Sequence, residues 1–205
     1  MSTAFTNVQL YGGAITTVIP QGFLDASMLR EVPDTQEVYV NSRSESEKFT
    51  DGLGSNESVI VDLLQRVEED DDKKALDLHL KEIAELNGST EWELLKYDTQ
   101  FDHLATPAIA QTCIVLETAY KWGKVSEKEI VISCIGLLRL KDVETDVLIT
   151  VNIPLDSAKY PEETLDRLTQ SVKDVSLLPQ RITAGYNVLL ETVKNFDIKD
   201  KSLFA

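Results

Sequence analysis

Ile130-Val131-Ile132-Ser133-Cys134-Ile135-Gly136-Leu137-Leu138-Arg139-Leu140 is apolar at almost every position. A strand that is apolar on both faces must be covered on both, so the run predicts a central strand of a sheet. Downstream, Val147, Ile149, Val151 and Ile153 alternate up to Pro154, which closes the segment. Upstream, after Ala110, Ile114, Leu116, Tyr120 and Trp122 alternate onto one face before a Gly123-Lys124 turn. Three strands with short connections make an antiparallel meander.

The N-terminal forty residues supply further strands. Gly12-Gly13 turns the chain between a strand ending near Tyr11 and one running from Ala14 to Ile19, because glycine accepts positive φ. Pro20 ends the second strand. Asp25 followed by Ser27 predicts the cap of one helical turn, and Pro33-Asp34 a turn that launches Val38-Tyr39-Val40. Residues 42–55 are polar and read as a surface loop, with Phe49 and Leu53 as possible anchors.

Helical patterns fill much of the remainder. A helix is expected to begin at Asn56, with Val59, Ile60, Leu63, Leu64 and Val67 on its apolar face. Val61, Asp62, Gln65 and Glu69 would then lie on its solvent side. A second helix is expected from Asp71 to Asn87, with Leu76, Leu80, Ile83 and Ala84 buried and Asn87-Gly88 as its C-terminal cap. Thr90-Glu91-Trp92-Glu93 has the form of a capping box and predicts a short helix. Leu165, Leu168 and Val172 suggest another within the connecting segment 155–178. A last helix begins at Pro179 with the stripe Ile182, Tyr186, Leu189, Leu190, Val193 and Phe196. Strands, helices, three strands and a helix indicate an α+β domain in which helices cover a mostly antiparallel sheet.

Twenty Lys and Arg against thirty-five Asp and Glu give a net charge of -15 in 205 residues. Such acidity repels nucleic acid and anionic membrane surfaces and suits a basic protein partner. No apolar run reaches membrane-span length, and Met1-Ser2-Thr3-Ala4-Phe5 lacks the regions of a signal peptide, so a cytosolic or nuclear protein is expected. Cys113 and Cys134 read as free, buried thiols.

Chemistry finds few footholds. Gly12-Gly13 has neither the Lys-Ser/Thr of a phosphate loop nor a spaced third glycine. His79 falls on the apolar side of its helix and His103 is alone in a loop, so no metal or cofactor site is expected. Asp25, Glu31, Asp34 and Glu37 lie close in sequence, and paired carboxylates can do acid and base work, which keeps a carboxylate hydrolase as an alternative. A binding face is the sharper reading: Asp62, Gln65 and Glu69 form a polar stripe at i, i+3 and i+7, with Val61 beside it.

Leu10-Tyr11-Gly12-Gly13-Ala14, the element Pro20-Gln21-Gly22-Phe23-Leu24-Asp25 and the run Leu29-Arg30-Glu31-Val32-Pro33-Asp34-Thr35-Gln36-Glu37-Val38 together resemble the Mog-one-type Ran-binding proteins, the Ran guanine nucleotide release factors of nuclear import. The resemblance continues at Leu137 to Leu140, at Thr145 to Pro154 and at Ser202-Leu203-Phe204. It implies a single Ran-binding domain over residues 1–205. The implied fold is a central sheet between helical layers, an α/β/α sandwich similar to the extrinsic proteins of the photosynthetic oxygen-evolving complex. It implies a monomer of nucleus and cytoplasm that binds a basic patch on the GTPase Ran and promotes nucleotide release, acting as a regulator rather than an enzyme. The family's Ran-contacting acidic residues carry over onto Asp62, Asp34 and Glu37, with Asp25 and Arg30 beside them. One departure is Gln65, where family members often carry glutamate; a neutral hydrogen bond would replace a charge-assisted one there. A scaffold or trafficking adaptor with a partner other than a GTPase is the second alternative.

Overall fold

In chain order, the strands are β1 (Phe5–Leu10), β2 (Ile15–Pro20), β3 (Phe23–Asp25), β4 (Gln36–Asn41), β5 (Ser58–Gln65), β6 (Glu91–Asp98), β7 (Ile109–Tyr120), β8 (Lys128–Leu140), β9 (Thr145–Leu155) and β10 (Asp197–Ile198). Among the described residues the α-helices are α1 (Asp72–Leu86) and α2 (Gln180–Lys194). The computed structural model describes residues 2–44, 46–47, 50–89, 91–99, 101, 103–120, 128–155 and 178–204. Phe49, Trp122, the Gly123-Lys124 turn and the expected helix around Leu165, Leu168 and Val172 lie outside the described residues.

Seven strands pair in the order β3-β4-β5-β9-β8-β7-β6, every neighbour antiparallel, and β1, β2 and β10 form a smaller sheet. The expected meander is β7-β8-β9. The fold is α+β with mostly antiparallel sheets. Alternation along β8 decides what covers it. Ile130, Ile132, Cys134, Leu138 and Leu140 join the larger core with Ile182, Leu189 and Val193 of α2, whereas Ile135 and Leu137 join a smaller core with Ala75, Leu76 and Leu80 of α1. Each fully buried Val, Leu or Ile contributes roughly 1.5–3 kcal/mol, so both faces of the strand hold the fold together. Gly136 is what lets α2 come close: a Cβ there would sit 2.8 Å from Val193 Cγ2.

Local chemistry accounts for the element ends. Tyr11, Gly12 and Gly13 all have positive φ (50°, 67° and 95°), which turns β1 into β2 within three residues. Asp25 Oδ1 accepts from the Ser27 amide at 2.8 Å and caps a single 3-10 turn, Ala26–Met28. Asp71 caps α1 by accepting from the Lys74 amide at 3.0 Å, and Asn87 with the left-handed Gly88 ends it. The 42–55 loop is less superficial than expected. Leu53 is wholly buried, and the buried Glu57 carboxylate accepts from the Gly54 amide, Asn41 Nδ2 and Arg181 Nε, tying the loop to α2.

Two helix expectations fail. Residues 58–65 form strand β5, paired on both sides, with Val59 opposite Tyr39 and Val151. The apolar run there fits either period, and its β-branched cluster Val59-Ile60-Val61 favours a half-buried pleat. Glu91-Trp92-Glu93 opens β6, where Glu93 pairs with Leu116 of β7. The capping-box pattern there is coincidental: the chain has just left α1 through Gly88 and pairs at once.

Candidate functional site

Pairing of β4 with β5 builds the site. Gln36 lies opposite Asp62 and Glu37 opposite Val61. Because side chains alternate, Gln36 and Asp62 face the α1 side of the sheet while Glu37, Val61 and Tyr39 face the other. Gln36 Nε2 donates to Asp62 Oδ1 at 2.6 Å. Among the described residues no cation pairs with Asp62. Its carboxylate is half-buried, and that burial raises its pKa despite the opposing pull of the Gln36 amide.

Tyr11 fastens the opposite face. Its amide donates to Glu37 Oε1 at 2.5 Å, and its hydroxyl donates toward Val61 O at 2.8 Å and Thr35 O at 3.1 Å. The left-handed Tyr11-Gly12-Gly13 turn therefore locks the small sheet onto β4 and β5. Burial raises Glu37, the Tyr11 amide opposes that, and the Asp25 charge adds to it. Burial, then Glu37 and Asp25, push the Tyr39 hydroxyl up to about 12. Burial followed by the charges of Asp62 and Glu37 raises Tyr11 as well.

The expected residues sort as follows. Asp25, Asp34, Glu37 and Asp62 all lie on the β3-β4-β5 edge of the large sheet, Asp34 in the exposed turn before β4. Arg30 is exposed beyond the 3-10 turn. Val61 is not on a solvent face: it is 0% exposed and packs in the larger core. The stripe of Asp62, Gln65 and Glu69 does not exist as a stripe. Three residues along a strand reverse the face, so the exposed Gln65 points away from the side that Asp62 occupies. Glu69 lies beyond the strand, where its carboxylate accepts from the Asp71 amide at 2.9 Å. As for hydrolase chemistry, the Asp25 and Glu37 carboxylates are engaged with backbone amides of Ser27 and Tyr11.

A buried ionic cluster holds the connection between β5 and α1, and sequence reasoning missed it. Asp146 Oδ2 accepts from His79 Nε2 at 2.9 Å and from the Val67 amide at 3.1 Å, and Oδ1 accepts from Arg139 Nε at 3.2 Å. Arg139, 1% exposed, also donates to Asp72 and to the carbonyls of Val67 and Glu69. Burial works to raise Asp146, but His79, the Val67 amide and Arg139 together hold it below the usual carboxylate range. The available signal was the placing of Arg139 and Asp146 as facing residues at the tight β8-β9 turn. His79 is buried on the apolar side of α1 and meets Asp146 through Nε2. Cys113 and Cys134 are buried in different cores, and burial pushes the Cys113 thiol up to about 12. Among the described residues, no cluster of three His, Cys, Asp or Glu could hold a metal, and no helix is long and apolar enough to cross a membrane.

The chain belongs to the family of the Ran-interacting Mog1 protein, whose family model matches residues 8–154. It is 48% identical over 198 residues to the nuclear import protein MOG1 of Saccharomyces cerevisiae, covering 97% of this chain and 84% of that one. The human Ran guanine nucleotide release factor is 29% identical over 149 residues, 71% of this chain and 74% of its own. The crystal structure of the S. cerevisiae Ran-binding protein Mog1p superimposes with a TM-score of 0.83 at 46% identity, covering 100% of both chains.

Proposed function

We propose that this protein is a regulatory binding partner of the small GTPase Ran that promotes guanine nucleotide release and so supports nuclear protein import. The observation that carries the reading is Asp62: a half-buried carboxylate that meets a neutral amide, and no cation among the described residues, on an acidic edge in a chain of net charge -15. Membership of the Ran-interacting family supports it, as do relatives named for nuclear import and for Ran nucleotide release.

The mechanism is linkage. If nucleotide-free Ran is bound more tightly than nucleotide-bound Ran, the protein lowers Ran's nucleotide affinity by the same factor. No bond to the nucleotide is made or broken, so no catalytic side chain is needed. The proposed contact set is Asp62, Asp34 and Glu37, with Asp25 and Arg30 at its margin, Gln65 at the end of β5 and Glu69 beyond it. Asp62 and Asp34 are best placed. The other finer features belong to the same reading: a basic patch on Ran, a monomeric partner without affinity for nucleic acid, residence in nucleus and cytoplasm, and a single domain over 1–205. The helical layering on the two sheet faces, similar to the photosystem extrinsic proteins, belongs to it too.

Charge-steered encounter makes the association rate fall as ionic strength rises. Stopped-flow association with Ran over a salt series tests this. A slope that flattens in Asp62→Asn supports the acidic edge as the docking face, and a rate independent of salt rejects it.

A further inference from the structure

The two faces of the large sheet are covered unequally. On the α1 side, Ile60, Asp62 and Leu64 of β5 and Leu148, Thr150 and Asn152 of β9 floor a groove walled by His79, Glu82, Ile83, Leu86 and Asn87. Its volume is about 250 Å³. That is well above the roughly 30 Å³ of one water and below the roughly 300–1,000 Å³ of pockets for drug-sized ligands, so it suits one or two side chains rather than a cofactor.

Its walls are those of an interface centre. Leu86, in the α1 wall of the groove one turn after Glu82, is 81% exposed. An exposed leucine beside a recess whose floor alternates Ile60, Leu64 and Leu148 with polar side chains matches the anatomy of an anchor pocket. Asp62 stands in the floor itself, directly opposite Leu148 across the β5-β9 pair. Neither Asp62 nor Glu82 is paired with a cation among the described residues. The apolar recess and the unneutralised charge are therefore one site.

We propose that this groove seats an apolar side chain of the Ran segment whose neighbouring lysine or arginine meets Asp62. The inference rests on Ran being the partner and adds what the acidic edge alone does not supply, an apolar anchor. Charge selects the occupant: a basic and apolar segment satisfies Asp62, Glu82 and the leucines together, whereas an acidic or wholly apolar segment would leave Asp62 buried without compensation. Anchor contacts act mainly on dissociation and charge contacts on association, so the two halves of the site are separable.

The test compares wild type, Leu86→Ser and Asp62→Asn for binding to nucleotide-free Ran by calorimetry and stopped flow. Protection of the Ile60, Leu64, Ile83, Leu86 and Leu148 methyl groups from a soluble paramagnetic probe is followed by NMR. Leu86 is exposed, so its replacement leaves folding intact, which urea unfolding verifies. The expected result is a loss of about tenfold in affinity for Leu86→Ser, chiefly through faster dissociation, with groove methyls shielded in the wild-type complex. If Asp62→Asn weakens binding while Leu86→Ser is neutral and the methyls stay accessible, the anchor is overturned and the Ran reading stands. If wild type does not bind Ran, both fall.

Discussion

Replacing Asp62 by asparagine removes a charge and changes almost no volume. In the folded protein the Asp62 carboxylate accepts from Gln36 Nε2 at 2.6 Å, a bond the asparagine carbonyl can also accept. What disappears is the ionised form, which burial disfavours. The carboxyl is raised on folding, so between its unfolded and folded values the folded chain holds the proton more tightly and stability falls as pH rises through that window. Above the window, the ionised carboxylate costs stability; below the ordinary carboxylate range it costs none. Asp62→Asn is therefore more stable than wild type at neutral pH, and the difference closes on acidification. Binding changes the other way. A charge-assisted hydrogen bond contributes about 1.5–3 kcal/mol against about 0.5–1.5 for a neutral one, so Ran affinity falls by about 1–1.4 kcal/mol, roughly five- to tenfold. Urea unfolding at neutral and acid pH, with calorimetry against Ran, reads both signs. A variant less stable than wild type at neutral pH, or one that binds Ran as well, would refute the reasoning.

Val61→Ala should cost about 1–3 kcal/mol, because Val61 is wholly buried between β4 and β9 rather than exposed on a helix. Chemical denaturation checks it, and an unchanged midpoint would contradict the placement. Asp146→Ala should cost about 3–5 kcal/mol, since it strips Arg139 and His79 of a buried partner. The Asp146 carboxyl is lowered on folding, so its contribution is full above the unfolded value and is lost as pH falls through the folded one. Acid titration of wild type and variant by circular dichroism should show stability curves that converge at low pH; parallel curves would contradict this.

Much of the fold is legible because single residues decide it. The β8 run is too apolar for an edge, Gly12-Gly13 can only be a tight turn, and Asp25, Asp71 and Pro179 announce the turns and helices they begin. β5 was not legible by periodicity. Val59, Ile60, Leu63 and Leu64 satisfy a helical stripe as well as a strand buried on both faces, with Val61 the one apolar residue off the stripe, and only pairing with β4 and β9 separates the two. The choice between the two periods decides where the site lies. A helix would turn Val61 outward and join Gln65 and Glu69 to Asp62, whereas the pleat aims Asp62, with Ser58, Ile60 and Leu64, toward α1. The Gln36–Asp62 bond and the bonds of Asp146 to His79 and the Val67 amide join residues 26, 67 and 79 positions apart, which no local pattern records.

The decisive measurement is the rate at which fluorescent guanine nucleotide leaves purified Ran, with and without this protein, in excess unlabelled nucleotide. Ran binding coupled to nucleotide release requires an acceleration that saturates with protein concentration, and the half-saturating concentration should rise roughly five- to tenfold in Asp62→Asn. A release rate unchanged at saturating protein would contradict the linkage, and with no complex detectable by calorimetry it would remove Ran as the partner.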